Sequence, residues 1–262
     1  MKTLTAVPVA FDDVGEGEAA LVMLPGWCSN RTVFRPLLAP AGRHRRVLAL
    51  DWRGHGGSER PRGDFGTAEL VDDVVGVLDV AGVERVVPVA LSHAGWVAIE
   101  LRRRLGPERV PGLVLLDWMV LGAPPPFYDA LAGLQDPDSF QAVRSALFAM
   151  WTEGVTIPEL DSHVGEMAEY HFPMWARAGR AISAAFAEAG SPVAVLERLE
   201  PPPPTLHVYA QPADRAFLEG QRQYASGHEW FRVHRLEARS HFPMFEVPAE
   251  MADAIERFVA GL

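Results

Sequence analysis

The stretch Val86-Val-Pro-Val-Ala-Leu-Ser-His-Ala-Gly-Trp96 decides the fold. Val86 to Ala90 is a short, Val-rich apolar run that stops at Ser92, and a helical stretch follows. A serine directly after a buried strand and directly before a helix occupies the sharp turn of a nucleophile elbow. The usual elbow is G-x-S-x-G. Here Ala90 and Ala94 stand in the glycine places, and Gly95 comes one position later. Small residues are needed because the turn crowds its neighbours, and alanine can suffice. The plain competing reading of Ser92 is a helix N-cap.

Working outward, similar short runs recur. Leu21–Leu24 stops at Pro25-Gly26, Arg46–Leu50 at Asp51, and Leu113–Leu116 at Asp117. Short Val/Leu runs closed by turn or polar residues read as buried parallel strands. The segments between them have room for crossover helices, and Thr67–Ala81 carries apolar residues at helical spacing. Alternating strand and helix predicts a mostly parallel sheet flanked by helices. From Ala123 to Leu199 no strand is evident, and helical stretches concentrate in Phe140–Trp151 and Val164–Ala187. Pro201–Pro204 form a stiff joint. Strands follow at Thr205–Ala210 and Phe231–Leu236, then a helix at about Ala249–Val259. The expected organisation is a core of residues 1–121 and 205–262 interrupted by a helical cap, 122–204, over the carboxyl ends of the strands, where open α/β sheets bind ligands.

The chain has 262 residues, 48% of them apolar, and a formal net charge of −10. An acidic surface repels phosphate backbones and anionic lipid, which argues against nucleic acid and membranes as partners. A single cysteine, Cys28, excludes an intrachain disulfide and fits a reducing compartment. Met1–Asp13 has no apolar core of a signal peptide and no stretch has the length of a membrane span, so a cytoplasmic protein is expected. There is no H-E-x-x-H and no His/Cys cluster, which argues against a metal. The early glycine cluster Arg53-Gly-His-Gly-Gly57 lacks a nucleotide-binding fingerprint.

The remaining chemistry converges on Ser92. Leu24-Pro-Gly-Trp-Cys-Ser29 follows the preceding strand in the position of an oxyanion loop, so the backbone N–H groups of Trp27 and His93 are expected to face one point. His241, in Ala238-Arg-Ser-His-Phe-Pro243, lies between the last strand and the last helix, the place of the base. Two carboxylates compete as its partner. Asp214 follows the penultimate strand but also reads as a helix N-cap, whereas Asp117 terminates a buried run and needs a partner to stay charged. On pattern alone the two are even. Of the seven tryptophans, most read as core, and one or two as platforms for a flat ligand.

Leu24-Pro-Gly-Trp-Cys28, Trp52-Arg-Gly-His-Gly56, Ser92-His93 with Gly95-Trp96, Asp117-Trp118 and His241-Phe-Pro243, with Trp151 and Trp175 in the cap, resemble the cofactor-independent 2,4-dioxygenases of 3-hydroxy-4(1H)-quinolones. That family is a branch of the α/β-hydrolase fold, and the resemblance covers most of the chain. It implies that Asp117, not Asp214, is the acid, that His241 is the base, and that Ser92 binds the substrate. Trp27, Cys28, His93, Trp151 and Trp175 are implied to surround the substrate. It further implies a small aromatic heterocycle and O2 as reactants, and no cofactor. Leu91 and Ser29 stand where the family carries histidines, which implies a less polar pocket that tolerates a 2-alkyl chain. The alternatives from the same residues are a serine esterase with Ser92 as nucleophile, and a non-catalytic ligand receptor.

Overall fold

The computed structural model describes residues 8–262. The Met1–Asp13 reading therefore falls largely outside the described residues.

Seven strands form one sheet in the order β1-β3-β2-β4-β5-β6-β7. They are β1 Phe11–Val14, β2 Ala20–Leu24, β3 Val47–Leu50, β4 Val86–Leu91, β5 Leu113–Leu116, β6 Thr205–Tyr209 and β7 Phe231–Arg235. Only β1 runs antiparallel, beside β3. Every residue of β2 to β6 is buried, as required of strands covered on both faces. The cover comes from helices α1 Arg35–Gly42, α2 Thr67–Ala81, α3 Ala94–Arg109 and α10 Pro248–Val259, with α1 packed on α10 and α2 on α3. A further helix, α9 Arg215–Ser226, packs against β7.

Between β5 and β6 lie five helices and no strand: α4 Pro125–Gly133, α5 Phe140–Trp151, α6 Pro158–Ala168, α7 Phe172–Ala189 and α8 Pro192–Leu196. The helical run expected over Val164–Ala187 is two helices. The break falls at His171, which is extended and precedes Pro173 in the first turn of α7, where proline starts helices rather than continuing them. No helix among the described residues is long and apolar enough to cross a membrane.

Candidate active site

Parallel pairing of β4 with β5 sets Leu91 opposite Leu116, so the next residues, Ser92 and Asp117, leave the sheet side by side. Both adopt left-handed backbone, φ 53° at Ser92 and 43° at Asp117. Non-glycine residues there cost about 1–3 kcal/mol and persist only where the surroundings hold them. The restraints are visible. Ser92 N–H donates to Leu116 O at 2.8 Å, and Asp117 N–H to Val208 O at 3.0 Å. Gly95 explains the displaced glycine of the elbow. A Cβ there would lie 2.1 Å from the ring of Trp118, which packs edge-on against Trp96 across the first turn of α3.

Asp117 is fully buried and accepts two backbone N–H bonds, from Ala210 at 3.1 Å and Gln211 at 2.8 Å. Burial pushes its carboxyl well above the usual carboxylate range, and the two N–H donors oppose that rise. His241 Nδ1 lies 3.8 Å from Asp117 Oδ1. That is ion-pair range but longer than a hydrogen bond, and such contacts are often loose before substrate arrives. The imidazole stacks on Trp151 at 5.2 Å, and its backbone N–H donates to Trp151 O at 2.8 Å. Burial lowers His241 to about 4. Asp117 therefore does not make the free base more basic, as its proximity alone suggests; desolvation prevails, and the ring is held neutral.

Asp214 is elsewhere in role. It caps α9, its carboxylate accepting from Phe217 N–H at 2.8 Å on the exposed surface. Of the two readings, the helix cap is the one its contacts express.

The oxyanion loop is braced from the segment Trp52–Gly56. Trp52 Nε1 donates to Pro25 O at 2.8 Å. His55 Nδ1 donates to Arg53 O at 3.1 Å, which leaves Nε2 free to accept Cys28 N–H at 3.3 Å. Burial lowers His55 to about 4, so that tautomer is neutral. The glycine cluster that matched no nucleotide motif thus serves as a support for this loop. Cys28 itself is fully buried, with left-handed backbone and its N–H taken by His55, and it lines neither cavity described below. The resemblance implied substrate contact at Cys28, and these surroundings fit a structural position in the loop. The N–H groups of Trp27 and His93 have no hydrogen-bond partner among the described residues.

Two cavities meet here. An inner chamber is lined by apolar side chains such as Leu91, Leu134, Leu147, Met167 and Ile182, with Trp27, Trp151 and Trp175. An outer cleft includes Asp117, Trp118, Gln211 and Arg239. Ser92, His93, Phe127, Trp151 and His241 line both. The indole N–H groups of Trp27 and Trp175 and His93 Nδ1 are buried without partners, which leaves them open to a ligand's polar atoms. Burial lowers His93 to about 3, and the nearby His241 adds to it.

Ser29 has a polar partner behind the chamber wall. His163, from α6, places Nε2 3.0 Å from Ser29 Oγ. An imidazole is present, supplied by the cap instead of the loop. No local pattern singled out His163, which contacts a residue 134 positions away.

Comparison with known proteins bears on the fold and the family. The family model described as alpha/beta hydrolase family matches residues 21–254. A 2-heptyl-3-hydroxy-4-quinolone dioxygenase of Rhodococcus erythropolis is 37% identical, over 99% of this chain and 97% of its own. A 1H-3-hydroxy-4-oxoquinoline 2,4-dioxygenase of Pseudomonas putida is 33% identical, over 96% of each. Among solved structures, an AqdC variant in complex with its substrate, described for recognition and ring cleavage of the Pseudomonas quinolone signal, superposes with a TM-score of 0.94 at 36% identity, covering 100% of this chain and 98% of the other.

Proposed function

As the chain belongs to the alpha/beta hydrolase family, on the branch of the 3-hydroxy-4-quinolone dioxygenases, we propose that it cleaves 2-alkyl-3-hydroxy-4(1H)-quinolones with O2 to an N-acylanthranilate and carbon monoxide. The observation that carries the reading for this site is the pairing of His241 with Asp117 at the end of β5 while Asp214 caps a helix.

The chemistry follows from the groups present. Triplet oxygen reacts slowly with closed-shell organics, so most enzymes recruit a metal or an organic cofactor. An electron-rich substrate anion can substitute. Neutral His241 accepts the 3-hydroxyl proton. A lone imidazolium is penalised by burial, but proton transfer creates it beside the substrate anion and within reach of Asp117, so the charge forms paired. The anion transfers an electron to O2, and recombination forms a peroxide at C2. The distal oxygen attacks C4, and the amides of Trp27 and His93 hold the charge on the C4 oxygen. The O–O, C2–C3 and C3–C4 bonds then break. C3 leaves as carbon monoxide with its own oxygen, and one atom of O2 remains on each of C2 and C4. The cap keeps water from these intermediates.

A serine esterase is the weaker reading. The near-full-length relatives above are dioxygenases. The two enzymes differ in what Ser92→Ala does. Loss of a nucleophile abolishes covalent catalysis. Loss of a buried hydrogen-bonding hydroxyl costs about 1–3 kcal/mol, roughly ten- to a hundredfold in rate. Ser92→Ala is expected to retain oxygen-dependent ring cleavage within that range, with no acyl adduct at position 92 in the wild type by mass spectrometry.

The deciding measurement is carbon monoxide release in air from 2-methyl- and 2-heptyl-3-hydroxy-4(1H)-quinolone. The apolar chamber favours the longer chain, since each buried CH2 contributes about 0.8 kcal/mol. A kcat/KM about tenfold or more higher for the heptyl substrate is expected, and a strong preference for methyl would reject the alkyl assignment. Release from neither substrate would reject the dioxygenase.

A further inference from the structure

We propose that Ser29 is a specificity residue that presents only a hydrogen-bond acceptor to the chamber and reads the ring N1–H of the substrate. The inference rests on the dioxygenase reading and extends it to a group that the mechanism leaves unassigned.

The argument is a count of protons. Thr32 Oγ1 lies in hydrogen-bond range of Asn30 Oδ1 and of Glu166 Oε2, the latter at 3.1 Å. Both oxygens only accept; the orientation of Asn30 is set because its Nδ2 donates to Glu166 at 2.8 Å and its Oδ1 accepts Thr32 N–H at 2.9 Å. The single hydroxyl proton of Thr32 therefore points to one of them. What Thr32 turns toward His163 Nδ1, at 3.4 Å, is a lone pair. We assign the proton of His163 to Nδ1, the tautomer in which this contact is a hydrogen bond. His163 is buried against Phe242 and Phe245, and burial lowers it to about 4, so the ring is neutral and Nε2 is bare. Ser29 Oγ, at 3.0 Å, must donate to that nitrogen. A hydroxyl has one proton. With it committed, the lone pairs of Ser29 are what remain for the chamber, which this residue lines together with Ser92 and His241.

An acceptor selects a donor. A 3-hydroxy-4(1H)-quinolone has two, the 3-hydroxyl and N1–H. His241 takes the first, and Ser29 is left with the second. Because the relay runs from α6 of the cap to the 3-10 turn Arg31–Phe34 of the core, the polarity at Ser29 depends on the cap being seated.

The test is equilibrium binding without oxygen, so that turnover does not enter. 2-Heptyl-3-hydroxy-4(1H)-quinolone and its N1-methyl analogue are titrated against wild type, Ser29→Ala and Thr32→Val, alongside carbon monoxide release in air. Ser29→Ala is expected to weaken binding of the N1–H compound about tenfold and to leave the N1-methyl compound equal or tighter. Thr32→Val, which frees the His163 tautomer without touching the chamber, is expected to reduce the same discrimination in part. Equal loss for both compounds, or no loss for either, with carbon monoxide still released by wild type, would overturn the role of Ser29 alone. No binding and no carbon monoxide from wild type would overturn the dioxygenase reading and this inference together.

Discussion

His241→Ala is expected to lower kcat/KM for 3-hydroxy-4-quinolone cleavage by about 10²- to 10⁴-fold at neutral pH, the range a positioned general base contributes. Deprotonation precedes every step that involves oxygen, so no later step can compensate. The alanine variant keeps the backbone bond from residue 241 to Trp151 O, and its thermal midpoint should change little beside its rate. Above the pKa of the substrate's own 3-hydroxyl the anion arrives preformed, and part of the lost rate should return. A variant that stays equally slow there would show that His241 does something other than accept this proton. The pH profile of the wild type gives the companion sign. The base must be unprotonated to act, and burial holds His241 at about 4 instead of the ordinary 6.5. As far as His241 alone sets it, the rate is therefore expected to hold below the ordinary imidazole range and to fall as pH drops through the lowered value, while protonation of Asp117, whose pKa burial raises, adds an acid limb of its own. An acid limb centred near 6.5 that persists in Asp117→Asn would mean that the free imidazole is not held neutral by its surroundings.

What could be read in the sequence was what local pattern encodes. The runs ending at Leu24, Leu50, Leu91 and Leu116 are strands because they are short, apolar and closed by turn residues, and burial on both faces leaves them no other use. The edge strand β1 escaped that logic. It carries Asp12 and Asp13 in four residues, and their charges are met by Arg31 and Arg46, which no run of apolar residues announces. Ser92 and Asp117 could be placed at strand ends and His241 between the last strand and the last helix, although pattern alone left Asp117 and Asp214 even as the acid and the family resemblance favoured Asp117. The strained backbone was not legible, since φ at Ser92 and Asp117 is imposed by bonds from neighbouring strands. The polar relay behind Ser29 was invisible for a related reason. His163 and Glu166 lie three apart on one cap helix and read there as an ordinary polar face, and only docking of the cap brings them onto Ser29, Asn30 and Thr32. Sequence pattern thus singled out candidate groups, while the electrostatics that tune them arise from burial between elements far apart in the chain. His241 is the clearest instance: the sequence places a carboxylate within reach, but burial strips the imidazolium of its hydration and lowers its pKa.

The two carboxylates separate cleanly when each is removed. Asp117→Ala is expected to slow ring cleavage by about 10²- to 10³-fold. A unit charge 3.8 Å from the imidazolium corresponds to about 4 kcal/mol at an effective dielectric of about 20, which is an upper bound for the loss. The same variant leaves the N–H groups of Ala210 and Gln211 buried without an acceptor, at about 1–3 kcal/mol each. Its rate should therefore be measured beside Asp117→Asn, which keeps one acceptor oxygen and the shape but not the charge. If the charge matters, the asparagine variant recovers stability more than it recovers rate. Asp214→Ala should do the opposite. It removes the N-cap of α9 and with it about 1 kcal/mol of stability, a fall of roughly 2–4 °C in Tm for a chain of this size, while kcat/KM stays within about twofold because nothing at the cleft changes. A reversed ranking, with rate lost at Asp214 and kept at Asp117, would return His241 to a partner after β6 and the site to the layout of a hydrolase.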